Sequence, residues 1–176
     1  MRNFDLKNLR TLVVDDNVHM RRILRTLLHT MGGRNIIEAE DGATGLDIYR
    51  TQSPDLIITD YAMPILNGLE MVNMIRKPDS PNPYIPILMI SSFTEKHRII
   101  NARDAGVNEF LKKPISATLL YERLYISLVE PRPFIKTQSY FGPCRRRNHK
   151  SWTDAERRGN GQCEIIEIEP LIKIAA

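Results

Sequence analysis

The sequence predicts an α/β fold built on an open parallel sheet. Five strand-sized runs of four to six residues alternate with segments of helical spacing between residues 9 and 130. The strongest runs are apolar without regular alternation, as expected of strands covered on both faces. Gly, Pro, Asn and Asp stand at the joints, where helices stop and turns begin. Such βαβ alternation implies right-handed crossovers with helices on both faces of the sheet. Five units are too few to close an eight-stranded barrel.

Leu9 to Val14 is the first strand, ending in the acids Asp15 and Asp16. In the helix that follows, Met20, Ile23, Leu24, Leu27, Leu28 and Met31 fall at the spacing of one helical face, and Gly32-Gly33 stops it. Arg34 to Ala39 reads as the second strand. Asp41-Gly42 opens a short helix to about Arg50, broken at Ser53-Pro54. Leu56-Ile57-Ile58-Thr59 is the third strand and delivers Asp60 at its end. After the Asn67-Gly68 turn, Leu69, Met71, Val72 and Ile75 make a third helix, closed by Pro78 to Pro83. Ile85 to Ile90 is the fourth strand. Glu95 to Ala105 reads as a polar, weakly amphipathic and loosely held helix, with Gly106 as its cap. Val107 to Leu111 is the fifth strand. Leu120, Leu124 and Leu128 support a fifth helix that ends at Glu130, before Pro131.

Composition narrows the function classes. The 176 residues hold one domain and an appendage, and 42% apolar with 26% charged residues fits a water-soluble chain. No apolar run approaches the roughly eighteen residues of a membrane span. Met1 to Asp5 place an acid where a signal peptide carries its apolar region, so the expected location is cytoplasmic. Cys144 and Cys163 lack a Cys-x-x-Cys pattern and are expected to be reduced thiols, not zinc ligands. The net charge of +4 is uneven. Sixteen basic and sixteen acidic residues precede residue 131, whereas nine basic and five acidic ones follow it. That shift marks a boundary between 1–130 and 131–176.

In an open α/β sheet the ligand site lies beyond the carboxyl ends of the strands. Those ends carry Asp15, Asp16, Asp60, Ser91 and, just past the fifth strand, Lys113. Carboxylates gathered in one crevice call for raised pKa values or a cation. A hard divalent ion such as Mg²⁺ takes oxygen ligands and commonly joins carboxylates to a phosphate. With Lys113 and the Ser91 hydroxyl completing a cradle for phosphoryl oxygens, Asp60 becomes a candidate carboxylate nucleophile.

Four segments in order resemble the receiver domain of two-component response regulators over residues 8–130. They are Val13-Val14-Asp15-Asp16, Ile57 through Asp60-Tyr61-Ala62-Met63-Pro64 to Gly68, Ile87-Leu88-Met89-Ile90-Ser91-Ser92, and Ala105-Gly106 through Phe110 to Lys113-Pro114. The resemblance implies a flavodoxin-like five-stranded sheet of order 2-1-3-4-5. It implies phosphorylation of Asp60 by a histidine kinase or phosphotransfer protein, in a regulatory phosphoacceptor and not an enzyme. Asp16, Asp60 and the Ala62 carbonyl would contact Mg²⁺, with Asp15 helping through water. Ser91 and Lys113 would bind the phosphoryl oxygens. Phe110 would change rotamer when Ser91 moves, altering contacts of the α4-β5-α5 face with a downstream protein. Ser91 stands where threonine is commoner. Lys113 is chosen over Lys112 because the family's lysine directly precedes its proline, and the Lys113-Pro114 bond is implied to be cis. Two rivals rank lower: an aspartyl-phosphate phosphatase, whose acid or base place holds Ala62, and a nucleotide module, for which no Gly-rich loop follows a strand.

Beyond Glu130 the resemblance ends. Pro131-Arg132-Pro133-Phe134 reads as an extended linker and Tyr140-Phe141-Gly142-Pro143 as a turn flanked by aromatics. Arg145-Arg146-Arg147, Lys150, Arg157 and Arg158 form a basic patch around Trp152. Two readings stay open: a solvated segment, or a surface for a partner, with protein ranking ahead of nucleic acid. A chain ending near Glu130 is expected to fold and keep the site.

Overall fold

The computed structural model describes residues 4–92, 95–146 and 163–173. Five parallel strands, β1 (Arg10–Val14), β2 (Asn35–Ala39), β3 (Leu56–Asp60), β4 (Ile87–Ser91) and β5 (Glu109–Lys112), lie in the order β2-β1-β3-β4-β5. Helices α1 (Val18–Thr30), α2 (Gly42–Gln52), α3 (Gly68–Ile75), α4 (Lys96–Asp104) and α5 (Ala117–Leu128) connect and follow them. The flavodoxin-like order and the two-sided cover are as the sequence implies.

Each strand divides its side chains between two cores. Leu12, Val14, Ile57, Ile87 and Met89 join Leu46, Tyr49, Met71, Val72 and Ile75 of α2 and α3. Val13, Leu56, Ile58, Leu88 and Ile90 join Leu24, Leu28, Leu120, Leu124 and Leu128 of α1 and α5. Every residue of β3 and β4 is buried, which is why their sequences show no polar alternation.

Local chemistry fixes the helix ends. The Asn17 side chain accepts the backbone N–H groups of His19 at 2.9 Å and Met20 at 3.3 Å, starting α1 at Val18, two residues before Met20 opens the helical face read from the sequence. Gly32, at φ +87°, ends that helix in a left-handed turn. Asp41 caps α2 by accepting from Ala43 and Thr44. Those bonds, the Thr44 N–H first, hold its carboxyl below the ordinary value. Asn67 and Glu70 form a reciprocal capping box on α3. In α4 only Ala102 is buried, in keeping with a loosely held element.

Four expectations shift. Strand β4 begins at Ile87 instead of Ile85, and β5 begins at Glu109 instead of Val107. The Asn108 side chain accepts the Ile87 N–H at 2.9 Å, so a side chain replaces the ladder at this edge. Helix α5 ends at Leu128, not Glu130. Ile23, placed by spacing on the apolar face of α1, is 48% exposed because it lies at the margin of the stripe.

The extended linker and the aromatic turn read beyond residue 130 are corrected by a second, three-stranded sheet. Strands β6 (Phe134–Lys136), β7 (Phe141–Pro143) and β8 (Glu164–Ile166) pair antiparallel in the order β7-β6-β8. Phe134 is 1% exposed and its ring lies 5.3 Å from that of Tyr84 and 5.5 Å from that of Phe141. Of the basic patch, Arg145 and Arg146 are described, while Arg147, Lys150, Arg157, Arg158 and Trp152 lie outside the described residues. Cys144 is buried, Cys163 is exposed, and both are free thiols. Among the described residues no helix is long and apolar enough to cross a membrane. Truncating Phe134 to alanine should lower the unfolding free energy by about 3–5 kcal/mol, read from the urea midpoint. A midpoint matching that of the unaltered protein would mean that this ring does not pack on Tyr84.

Candidate functional site

Parallel strands that end at one edge bring their carboxyl-terminal residues into a single crevice. Asp15 follows β1, Asp60 closes β3 between β1 and β4, Ser91 closes β4, and Lys113 follows β5. Asp15 is 1% and Asp60 7% exposed. The Lys113 Nζ donates to Asp15 Oδ2 at 2.9 Å and pairs with Asp60 Oδ1, so one ammonium joins two carboxylates from different strands.

Both carboxylates are held from behind. Asp60 Oδ2 accepts the Ala62 N–H at 2.8 Å, and Asp15 Oδ1 accepts the Asn17 N–H at 2.9 Å. Gly68 lets the chain after Ala62 fold back, since a β-carbon there would collide with the Asp60 carbonyl. The buried Thr59 hydroxyl donates to that same carbonyl at 3.0 Å. The Lys113 N–H donates to the Ser91 carbonyl at 2.8 Å and fixes the end of β5 against β4.

Burial pushes the Asp60 carboxyl above the ordinary aspartate value. Lys113 and the Ala62 N–H oppose the shift, and Asp15 adds to it. Burial would lower the Lys113 ammonium, but its bonds to Asp60 and Asp15, and their charges, hold it above the ordinary lysine value. One cation thus faces two carboxylates, leaving the crevice net negative.

The other expected residues divide. Ser91 is 1% exposed at the end of β4. Phe110, opposite Met89 in the ladder, is half-buried against the α2–α3 core. Lys112 is exposed, whereas Lys113 reaches the crevice. Asp16 is exposed, and no group of three His, Cys, Asp or Glu side chains among the described residues converges to hold a metal. Of the three expected carboxylates, Asp15 and Asp60 are joined through Lys113. Ala62 is exposed at the rim. The chemistry of the donors, hard oxygens with unbalanced negative charge, fits a hard divalent cation. The Lys113-Pro114 bond is cis.

Sequence reasoning missed two supports. Arg21 donates to the Asp15 carbonyl at 2.8 Å and pairs with Glu38 at 3.3 Å, tying the loop after β1 to β2. Arg98 lies over the Tyr61 ring, 5.3 Å from its centroid. No spacing in the sequence marks either arginine. The Asn17 cap was findable, as an Asn before a helical run.

Residues 11–125 match the family of the response regulator receiver domain. The chain is 39% identical over 118 residues to chemotaxis protein CheY-3 of Vibrio cholerae, covering 67% of this chain and 90% of that one. It is 35% identical over 116 residues to chemotaxis protein CheY of Pseudomonas aeruginosa, covering 66% and 93%. Among solved structures, CheY4 of Vibrio cholerae superposes with a TM-score of 0.63 at 28% identity, covering 68% of this chain and 98% of that one. The N-terminal domain of an uncharacterized Wolinella succinogenes protein superposes with a TM-score of 0.58 at 35% identity, covering 66% and 90%.

The raised pKa of Asp60 has a stability consequence. A carboxyl whose folded pKa exceeds its unfolded value, about 3.9, favours folding while protonated and opposes it once ionised. Asp60→Asn should therefore raise the melting temperature at pH 7, by about 2–4 °C per kcal/mol recovered. The gain should shrink as pH falls through the raised pKa toward 4. An equal gain at pH 4 and pH 7, or a loss at pH 7, would contradict the assigned cause.

Proposed function

The chain belongs to the response regulator receiver family, and from that membership we propose that it is a phosphorylation-dependent signalling switch with Asp60 as phosphoacceptor. What carries the reading is the pairing of a buried, strand-terminal Asp60 with Lys113 beside a second carboxylate, Asp15. We take residues 1–130 as the receiver and 131–176 as its C-terminal extension, in a regulatory cytoplasmic phosphoacceptor, not an enzyme.

In the proposed transfer an Asp60 carboxylate oxygen forms a bond to phosphorus while the bond from phosphorus to the donor's histidine nitrogen breaks. The product is an acyl phosphate on Asp60 and a free histidine on the kinase or phosphotransfer protein. Asp60 Oδ2 is oriented by the Ala62 N–H, so the attacking carboxylate is aimed before the donor arrives. Lys113 exchanges part of its pairing with Asp60 for the phosphoryl oxygens, and the Ser91 hydroxyl donates to another. Asp15, Asp16, Asp60 and the Ala62 carbonyl would hold Mg²⁺, which supplies positive charge to the phosphoryl oxygens.

Ser91 and Phe110 are the proposed route outward. A phosphoryl group that draws in the Ser91 hydroxyl opens space beside β4, and Phe110, on the neighbouring strand, fills it. The shift biases a pre-existing equilibrium of the α4-β5-α5 face toward a form that a downstream protein selects.

Incubation with acetyl phosphate and Mg²⁺ should add one phosphoryl group, seen by intact mass, with acetate as the leaving group. Asp60→Asn should take up none while keeping its circular dichroism. Equal labelling of that variant would remove Asp60 from the role.

A further inference from the structure

The base of the five-stranded sheet, at the end of the fold opposite the crevice, is covered by the second sheet. Four polar ties join the two. The Arg132 guanidinium donates to the Asn108 carbonyl just before β5 and pairs with Glu109 at 3.3 Å, while its other arm holds the Cys144 carbonyl at 2.6 Å. Glu109 is 3% exposed and pairs also with Arg123 of α5 at 3.0 Å, so a buried carboxylate loses one of two cations if Arg132 leaves. Arg145 pairs with Asp104 at the end of α4 at 3.3 Å. The Ile172 N–H donates to the Leu128 carbonyl at the end of α5 at 3.2 Å.

Apolar packing closes the space between these ties. Phe134 finds its cover in Tyr84 and in Arg76, whose guanidinium carbon lies 5.2 Å from the ring centroid. Ile135 and Cys144 are buried as well. Backbone meets backbone where Gly142 reaches Gly106, since a β-carbon on Gly142 would lie 2.8 Å from the Gly106 α-carbon.

The second sheet has little to hold it together alone. Its strands are three residues each, well below what stands unaided in water. Two conditions are therefore open to it, docked or unfolded. Docking that requires the folded five-stranded sheet stabilises that sheet in return, as any ligand of the native state does.

We infer that the β7-β6-β8 sheet is a fixed layer of the same cooperative unit as the five-stranded sheet, and that it closes the base of α4, β5 and α5 to other proteins. The folding unit runs past Glu130 through residues 131–146 and 163–173. A protein approaching this side meets the second sheet in place of Asn108 and Glu109. The inference is independent of the phosphoacceptor reading of Asp60.

The two thiols report on it directly in the full chain, because Cys163 is exposed and Cys144 is buried. Labelling with dithiobisnitrobenzoate, assigned by peptide mass, should modify Cys144 more than about tenfold slower than Cys163. As urea is added, Cys144 should become reactive only where the far-ultraviolet circular dichroism is lost. Gly142→Ala, which forces the backbones apart at Gly106 and leaves every charge in place, should lower the urea midpoint of that signal by at least about 0.5 M, and so should Arg132→Met. Cys144 reacting within about tenfold of Cys163 in native protein, or fully reactive before the dichroism changes, would reveal a sheet that detaches from a folded receiver and would overturn the inference. An unchanged midpoint in both variants would overturn it too. The parent's two thiols decide the matter even if neither variant folds.

Discussion

A single ammonium between two carboxylates is the constraint on which the rest of the site depends. Asp15, Asp60 and Lys113 come from the ends of three strands, and an uncompensated charge on either carboxylate would be costly where exposure is 1% and 7%. The pairing is possible only because β3 lies between β1 and β4 with β5 beyond, all running the same way. Parallel strands in turn require crossovers, and the crossovers supply the helices that bury both faces. The apolar strands and the charged crevice are thus two ends of one design: the cores hold the strand ends still, and the strand ends hold the charges together.

Much of this was legible in the sequence because both faces of the sheet are covered. Runs such as Leu56 to Thr59 and Ile87 to Ile90 cannot be amphipathic when each face meets helices, and Asp60 and Ser91 stand out at their ends. Lys113 was reachable only through the family's Lys-Pro pattern, since Lys112 has the same chemistry one residue earlier. What the spacing misplaced was three-dimensional detail. Asp16 is exposed beside the buried Asp15, a difference that adjacency in sequence could not reveal. The start of β4 depends on the Asn108 side chain, twenty-one residues away.

The extension was read less well for a physical reason. Strands of three residues show no period, and Phe134, Phe141 and Tyr84 meet across about fifty residues of sequence. Aromatic and arginine content announced a contact surface, and among its described residues Phe134, Phe141 and Arg145 meet Tyr84 and Asp104 of the same chain. Arg76 illustrates the cost of that arrangement. A guanidinium buried without a carboxylate is retained because three oxygen acceptors and the face of Phe134 replace its water.

Lys113 opposes the upward push that burial gives the Asp60 carboxyl. Carboxyl-carbon NMR titration of Asp60 in the full chain, with and without Lys113→Met, measures this directly. The parent should titrate above the ordinary aspartate value of about 3.9, and the variant higher still, because desolvation and Asp15 remain while the opposing cation is gone. An Asp60 titration that is the same in both proteins, or lower in the variant, would contradict the account.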